Sequence, residues 1–86
     1  MTLNAEVDVD FEMILRDAGR QRRKVRIQFK GPSTDYDREM EPYAIRDGQL
    51  VAYSLYRDEF RTLPIADITG VDVTPRTFVP RRQVDL

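Results

Sequence analysis

Residues 24–30 read KVRIQFK and alternate without exception. Val25, Ile27 and Phe29 point one way; Lys24, Arg26, Gln28 and Lys30 point the other. Strand side chains change face at every residue, so this pattern belongs to a strand with one dry face. The chain must therefore build a sheet over a core. Gly31-Pro32-Ser33 breaks the run. A second strand is expected over 37–45, where Pro42 cannot donate to a ladder and marks an edge or a bulge. Asp47-Gly48 is a tight-turn pair, because both central positions of such a hairpin turn need positive φ. Third and fourth strands follow at 49–56 and 60–65. With Arg57-Asp58-Glu59 as the loop, Tyr56 faces Phe60, Tyr53 faces Leu63 and Val51 faces Ile65, which sets apolar against apolar. Ile68, Val71 and Val73 suggest a last short strand after a turn at 66–67, and Pro75 and Pro80 punctuate the remainder.

Ahead of the strands, Phe11, Ile14, Leu15 and Ala18 fall at i, i+3, i+4 and i+7, which predicts a helix over 10–22. Asp10 is placed to cap it, and the arginines at 20, 22 and 23 lie at the negative end of its dipole. In residues 1–9, Leu3, Ala5, Val7 and Val9 alternate, so this segment reads as a loose arm or an added edge strand. One helix and about five short strands imply a mostly-β fold, a small barrel that closes or half-closes to hide its edges. Its expected core is Val25, Ile27, Phe29, Val51, Leu63 and Ile65, with Phe11, Ile14 and Leu15 over one opening.

Eighty-six residues make one domain. The chain has no cysteine and no histidine. Thiolate chemistry is excluded, and the usual general base and commonest metal ligand are missing, so an enzyme is not expected. No apolar run approaches the roughly 20 residues of a membrane span. Acidic residues follow the first methionine where a signal peptide would be basic. A cytoplasmic protein without membrane association is the expectation. The formal net charge of -1 hides a basic cluster from Arg20 to Arg26. Lys24, Arg26, Gln28 and Lys30 either contact phosphates or pair across the hairpin with Asp37, Glu39 and Glu41. Asp35, Asp37, Glu39 and Glu41 alternate but lack the glycine and spacing of a calcium loop, so no metal or cofactor is expected.

Tyr53, Tyr56, Arg57, Phe60 and Arg61 crowd around one hairpin. Either the aromatics are core and Arg57 solvates the turn, or the group grips a planar, anionic ligand. A base stacked on an aromatic ring gains about 1–3 kcal/mol, and arginine adds phosphate and cation–π contacts.

From about residue 12 to residue 80 the chain resembles the WYL domain, a bacterial SH3/Sm-like barrel led by a helix. The residues that carry the likeness are Val25, Ile27 and Phe29; Glu41-Pro42; Leu50-Val51-Ala52-Tyr53; Phe60-Arg61-Thr62-Leu63; Ile65 and Ile68; and Phe78 with Pro80. The family's Trp and Tyr fall at Gly48 and Gln49 here, and its Asp-Arg before the last isoleucine is Ala66-Asp67. The resemblance implies a five-stranded SH3/Sm-like barrel with one N-terminal helix over 10–80, preceded by the arm 1–9 and followed by a tail 81–86. It implies a non-enzymatic regulatory module that senses single-stranded nucleic acid or a nucleotide. Arg61 would be the anchor, Tyr53 beside it, and Arg57 and Arg26 at the rim. The other reading is a protein-interaction or oligomerisation module without a small ligand. Under either reading a homo-oligomer is expected, since a half-closed barrel leaves edges to cover.

Overall fold

A computed structural model describes residues 10–31 and 35–86; the arm at 1–9 lies outside the described residues. One helix, α1 (Phe11–Arg20), precedes β1 (Arg23–Lys30), β2 (Asp35–Arg46), β3 (Gln49–Ser54), β4 (Glu59–Pro64) and β5 (Ile68–Thr77). The strands form a single antiparallel sheet in the order β4-β3-β2-β1-β5. The fold is mostly β with one N-terminal helix, as the alternation requires. Among the described residues no ladder joins β4 to β5; a short 3-10 turn at Ile65–Asp67 connects them instead.

Asp10 caps α1 by accepting from the Met13 amide. The helix stops two residues before its expected end because Arg22 takes a φ of 59°. The Arg22 amide and guanidinium both donate to the Gly19 carbonyl, which satisfies an orphan acceptor of the last turn. β1 reproduces the alternation: Val25 and Ile27 are fully buried, and Arg26 is exposed. Asp47 and Gly48 have φ of 53° and 73°, so the tight turn is in place.

Pro42 marks a bulge rather than an edge. β2 is central, and its register on β3 shifts between Pro42↔Ala52 and Ala44↔Val51, leaving Tyr43 as the extra residue. The shift keeps one face of β2 in the core on both sides of the bulge, with Met40 before it and Ile45 after it.

Two expectations about the second half are corrected. The β3–β4 register runs Leu50↔Leu63, Val51↔Thr62, Ala52↔Arg61 and Tyr53↔Phe60, not Tyr56 opposite Phe60. The loop is Leu55–Asp58, closed by the Asp58 amide on the Ser54 carbonyl and the Arg57 amide on Ser54 Oγ, with Asp58 at a φ of 58°. The expectation failed because both faces of β3 are covered. Leu50 and Ala52 face the main core, while Tyr53 packs on the back. The last strand is not short either: β5 runs ten residues through Pro75, which an outer strand tolerates.

The main core comprises Leu15, Val25, Ile27, Met40, Leu50 and Leu63 with their neighbours; Phe11, Phe29 and Ile65 pack against it part-buried. Val51 falls outside it, on the other face, and Ile14 is only half-buried on α1. A second cluster on the back of the sheet joins Tyr43, Tyr53 and Phe78. Residues 81–86 do not trail away. The Asp85 amide donates to the Tyr43 carbonyl, and Asp85 bridges Ala44 in parallel, beside the part of β2 that β1 no longer reaches.

Candidate ligand-binding mouth

The core face of the sheet is covered by α1 over only part of its area. The rest opens as a concavity of about 630 Å³, lined by residues of β1, β2, the β3–β4 hairpin and the turn before β5. That volume falls within the usual size of a small-molecule site. Its floor is Phe29, Met40 and Leu63, and its walls carry Lys30, Arg38, Arg57 and Arg61 against the single carboxylate of Asp67.

The pleat explains why these side chains converge. Tyr36, Arg38 and Met40 alternate with Asp37 and Glu39, so they share the core face. Their β1 partners Phe29, Ile27 and Val25 point the same way. Past the end of the apolar floor this face carries planar groups. The Phe29 and Tyr36 rings stack with centroids 5.4 Å apart and planes inclined 24°. The Arg38 guanidinium lies 5.1 Å from the Tyr36 ring and 4.0 Å from the Tyr56 ring. One cation is thus held between two aromatic faces, and Tyr56 is 69% exposed. Among the described residues Arg38 donates to the Asp37 carbonyl and meets no carboxylate, and the Arg57 guanidinium meets none.

The expected site residues separate. Arg61 and Arg57 both line the mouth. Arg61 pairs with Ala52 across the hairpin and has a counter-charge, Glu59, 3.5 Å away. Both partners are well exposed, and surface pairs of this kind contribute about 0–1 kcal/mol, so the Arg61 fork stays available to a stronger anion. Tyr53 lies on the opposite face, where its hydroxyl donates to Asp58 and its ring meets Phe60 edge-on at 5.2 Å. Arg26 is on the outer face too, 2.9 Å from Asp37. The structure therefore places Arg57 and Arg61 together and Tyr53 and Arg26 apart from them. Tyr36 and Arg38 escaped the sequence reading because they sit inside a row of acids. The signal was present in the same period of two that marked β1.

The outer face consumes the acidic row. Asp37 pairs with Arg26, Glu39 takes a two-pronged bond from Arg76 at 2.8 and 2.9 Å, and Glu41 takes one from Arg81 at 3.1 and 3.4 Å. The Arg76 guanidinium holds the Glu39 carboxyl below its ordinary range. The Asp58 carboxylate raises the Tyr53 hydroxyl above its ordinary value, and burial does the same to Tyr43. The cross-strand pairing expected for the Lys24–Lys30 face thus holds for Arg26, while Glu39 and Glu41 find arginines from β5 and the C-terminal segment instead.

The WYL domain family model matches residues 11–73. Among solved structures, proteasome accessory factor B/C (PafBC) of Arthrobacter aurescens superposes with a TM-score of 0.70 at 15% identity, over 78% of this chain and 11% of that one. At that identity the likeness is one of fold, and this chain corresponds to a small part of the larger protein. No curated protein matches.

Proposed function

Because the chain belongs to the WYL domain family, a family of regulatory and sensing domains, we propose that the mouth is a sensing site for a planar anionic ligand, a nucleotide or single-stranded nucleic acid. The observation that carries this reading is the Arg38 guanidinium held between the Tyr36 and Tyr56 rings, with Arg57 and Arg61 in the same concavity. Exposed rings offer stacking faces, and arginine forks match phosphate oxygens bidentately. Arg61 is the anchor, Arg38 and Tyr56 form the stacking wall, and Arg57 stands at the rim. Tyr53 serves the site from behind through Asp58, and Arg26, paired with Asp37 on the outer face, is given no part in it. No catalytic role is proposed for any of these groups, and the protein is assigned to the cytoplasm, where such ligands are found.

Fluorescence anisotropy with a labelled oligothymidylate at low salt tests the reading. Arg61→Ala or Arg38→Ala should abolish binding with the fold intact by circular dichroism. Arg57→Ala should weaken it and reduce the salt slope by about one unit. Equal binding by the wild type and Arg61→Ala, or no binding of oligonucleotides or ATP by the wild type, overturns it. A protein-interaction module is then the better reading. The observation favouring that alternative is that, among the described residues, β5 is an edge of the sheet, ten residues long with Val73 44% exposed.

A further inference from the structure

The back of the β3–β4 hairpin holds a built polar site that the mouth does not use. Glu41 is 2% exposed and Tyr43 1%. The Tyr43 hydroxyl donates to Glu41 at 3.0 Å and accepts from the Arg81 amide at 2.7 Å. The Arg81 guanidinium completes the cage, forked on Glu41 and stacked 3.8 Å above the Tyr53 ring. Arg82 stacks 3.8 Å above Phe60. A buried carboxylate beside an aromatic wall is a recognition site for a guanidinium, since carboxylate and ring each favour that cation. The link that leads into it, Val79 and Pro80, is exposed.

The rings those arginines grip belong to the hairpin whose tip forms one wall of the mouth. Tyr53 and Phe60 face each other across β3 and β4. The Tyr53 hydroxyl donates to Asp58, the last residue of the turn. Asp58 and Arg57 close that turn on Ser54, and the turn presents Tyr56 and Arg57 to the mouth. The route from Arg81 to Tyr56 is therefore continuous: guanidinium, ring, hydroxyl, carboxylate, turn. Alternation along the strand lets one hairpin be held from behind while it displays ligand groups in front.

We propose that the Glu41–Tyr43–Tyr53–Phe60 face is a second binding site, specific for an extended arginine-bearing segment and filled here by residues 81–86, and that its filling sets the mouth. It rests on the mouth reading for its functional consequence, but not for its mechanical one. With the segment docked, the hairpin tip is ordered and Tyr56 and Arg57 are pre-positioned. With the segment released, the tip loosens and the mouth binds more weakly. Coupling between two sites is reciprocal, so a ligand in the mouth also tightens the segment.

Amide hydrogen exchange on the full chain tests this, with oligothymidylate anisotropy beside it. In Arg81→Ala/Arg82→Ala, the Arg57 and Asp58 turn amides should exchange about tenfold faster, as loss of two cation–π contacts on their supporting rings implies. Oligothymidylate affinity should fall by a similar factor, and the oligonucleotide should slow exchange at Asp85 in the wild type. If the double variant loses its fold, Arg82→Ala alone, which leaves Glu41 paired, gives the same readout at smaller size. Faster exchange at Asp85 with unchanged turn amides overturns the proposal. Faster turn exchange in a protein that binds no oligonucleotide retains the coupled site and removes the mouth reading instead.

Discussion

Ile27→Ala measures how firmly β1 is locked into the sheet. Ile27 is fully buried, with Arg38 beside it on β2 and Val71 on β5. The substitution removes three carbons from the core, worth about 2.4 kcal/mol at about 0.8 kcal/mol each. A strand hydrogen-bonded on both sides cannot close the gap, so a cavity term adds to this and brings the total to about 3–4 kcal/mol. A domain of this length has only about 4–13 kcal/mol in all. With a urea dependence of about 1 kcal/mol/M, the midpoint should fall by about 3 M. The chain has no tryptophan and four tyrosines, so unfolding is followed by tyrosine fluorescence and far-UV circular dichroism. Val73→Ala is the control: Val73 pairs with Val25 on the neighbouring strand but is 44% exposed, and should cost within about 0.5 kcal/mol. A loss below about 1 kcal/mol for Ile27→Ala, or equal losses for the two variants, refutes the assignment of β1 as the locked centre of the core.

Glu39 should make stability acid-sensitive. Its carboxyl is held below the ordinary 4.5 by Arg76, so its contribution is complete above that value and is lost as pH falls through the lower folded value; the urea midpoint of Glu39→Gln should therefore fall less between pH 6 and pH 3 than that of the wild type. Gly19→Ala sets helix propensity against packing. The added methyl collides with the Leu86 side chain and crowds the Pro42 carbonyl, so α1 gains about 1 kcal/mol of propensity while the Asp85 amide loses exchange protection; unchanged protection at Asp85 would contradict the packing. Self-association is proposed from β4 and β5, which among the described residues are the edges of the sheet, and sedimentation at micromolar concentration should show species heavier than the 10.1 kDa monomer.

How much of this was legible depended on how each face is covered. β1 was readable to within one residue because one side is dry and the other wet, so composition repeats the pleat. The Asp47-Gly48 turn was readable because its backbone excludes most other residues. The β3–β4 register was not, since Leu50 and Ala52 are buried from one side and Tyr53 from the other, and a strand dry on both sides carries no alternation to align. Of the site, Arg57 and Arg61 were legible as cations on one hairpin, the first in its turn and the second within β4. Arg38 was masked by the acids on either side of it, although Tyr36 and Arg38 are in phase with Met40. The docking of residues 81–86 had no local signal, because it depends on Glu41 and Tyr43, some 40 positions earlier in the chain.

The bulge at Tyr43 divides β2 into two stretches of opposite parity: even-numbered residues up to Pro42 and odd-numbered ones from Ile45 lie over the core. An insertion or deletion of one residue is ordinarily ruinous inside a strand, because it exchanges every inward side chain beyond it for an outward one. In β2 one such change has already been absorbed, and Tyr43 is the residue that absorbs it. Losing Tyr43 would remove the bulge without changing the phase: Pro42 and Ala44 would follow each other opposite Ala52 and Val51, and Ile45 would stay opposite Leu50 over the core. It would, however, withdraw the hydroxyl and carbonyl that receive Arg81 and Asp85. The extra residue is therefore dispensable to the phase of the core but not to the seat of residues 81–86.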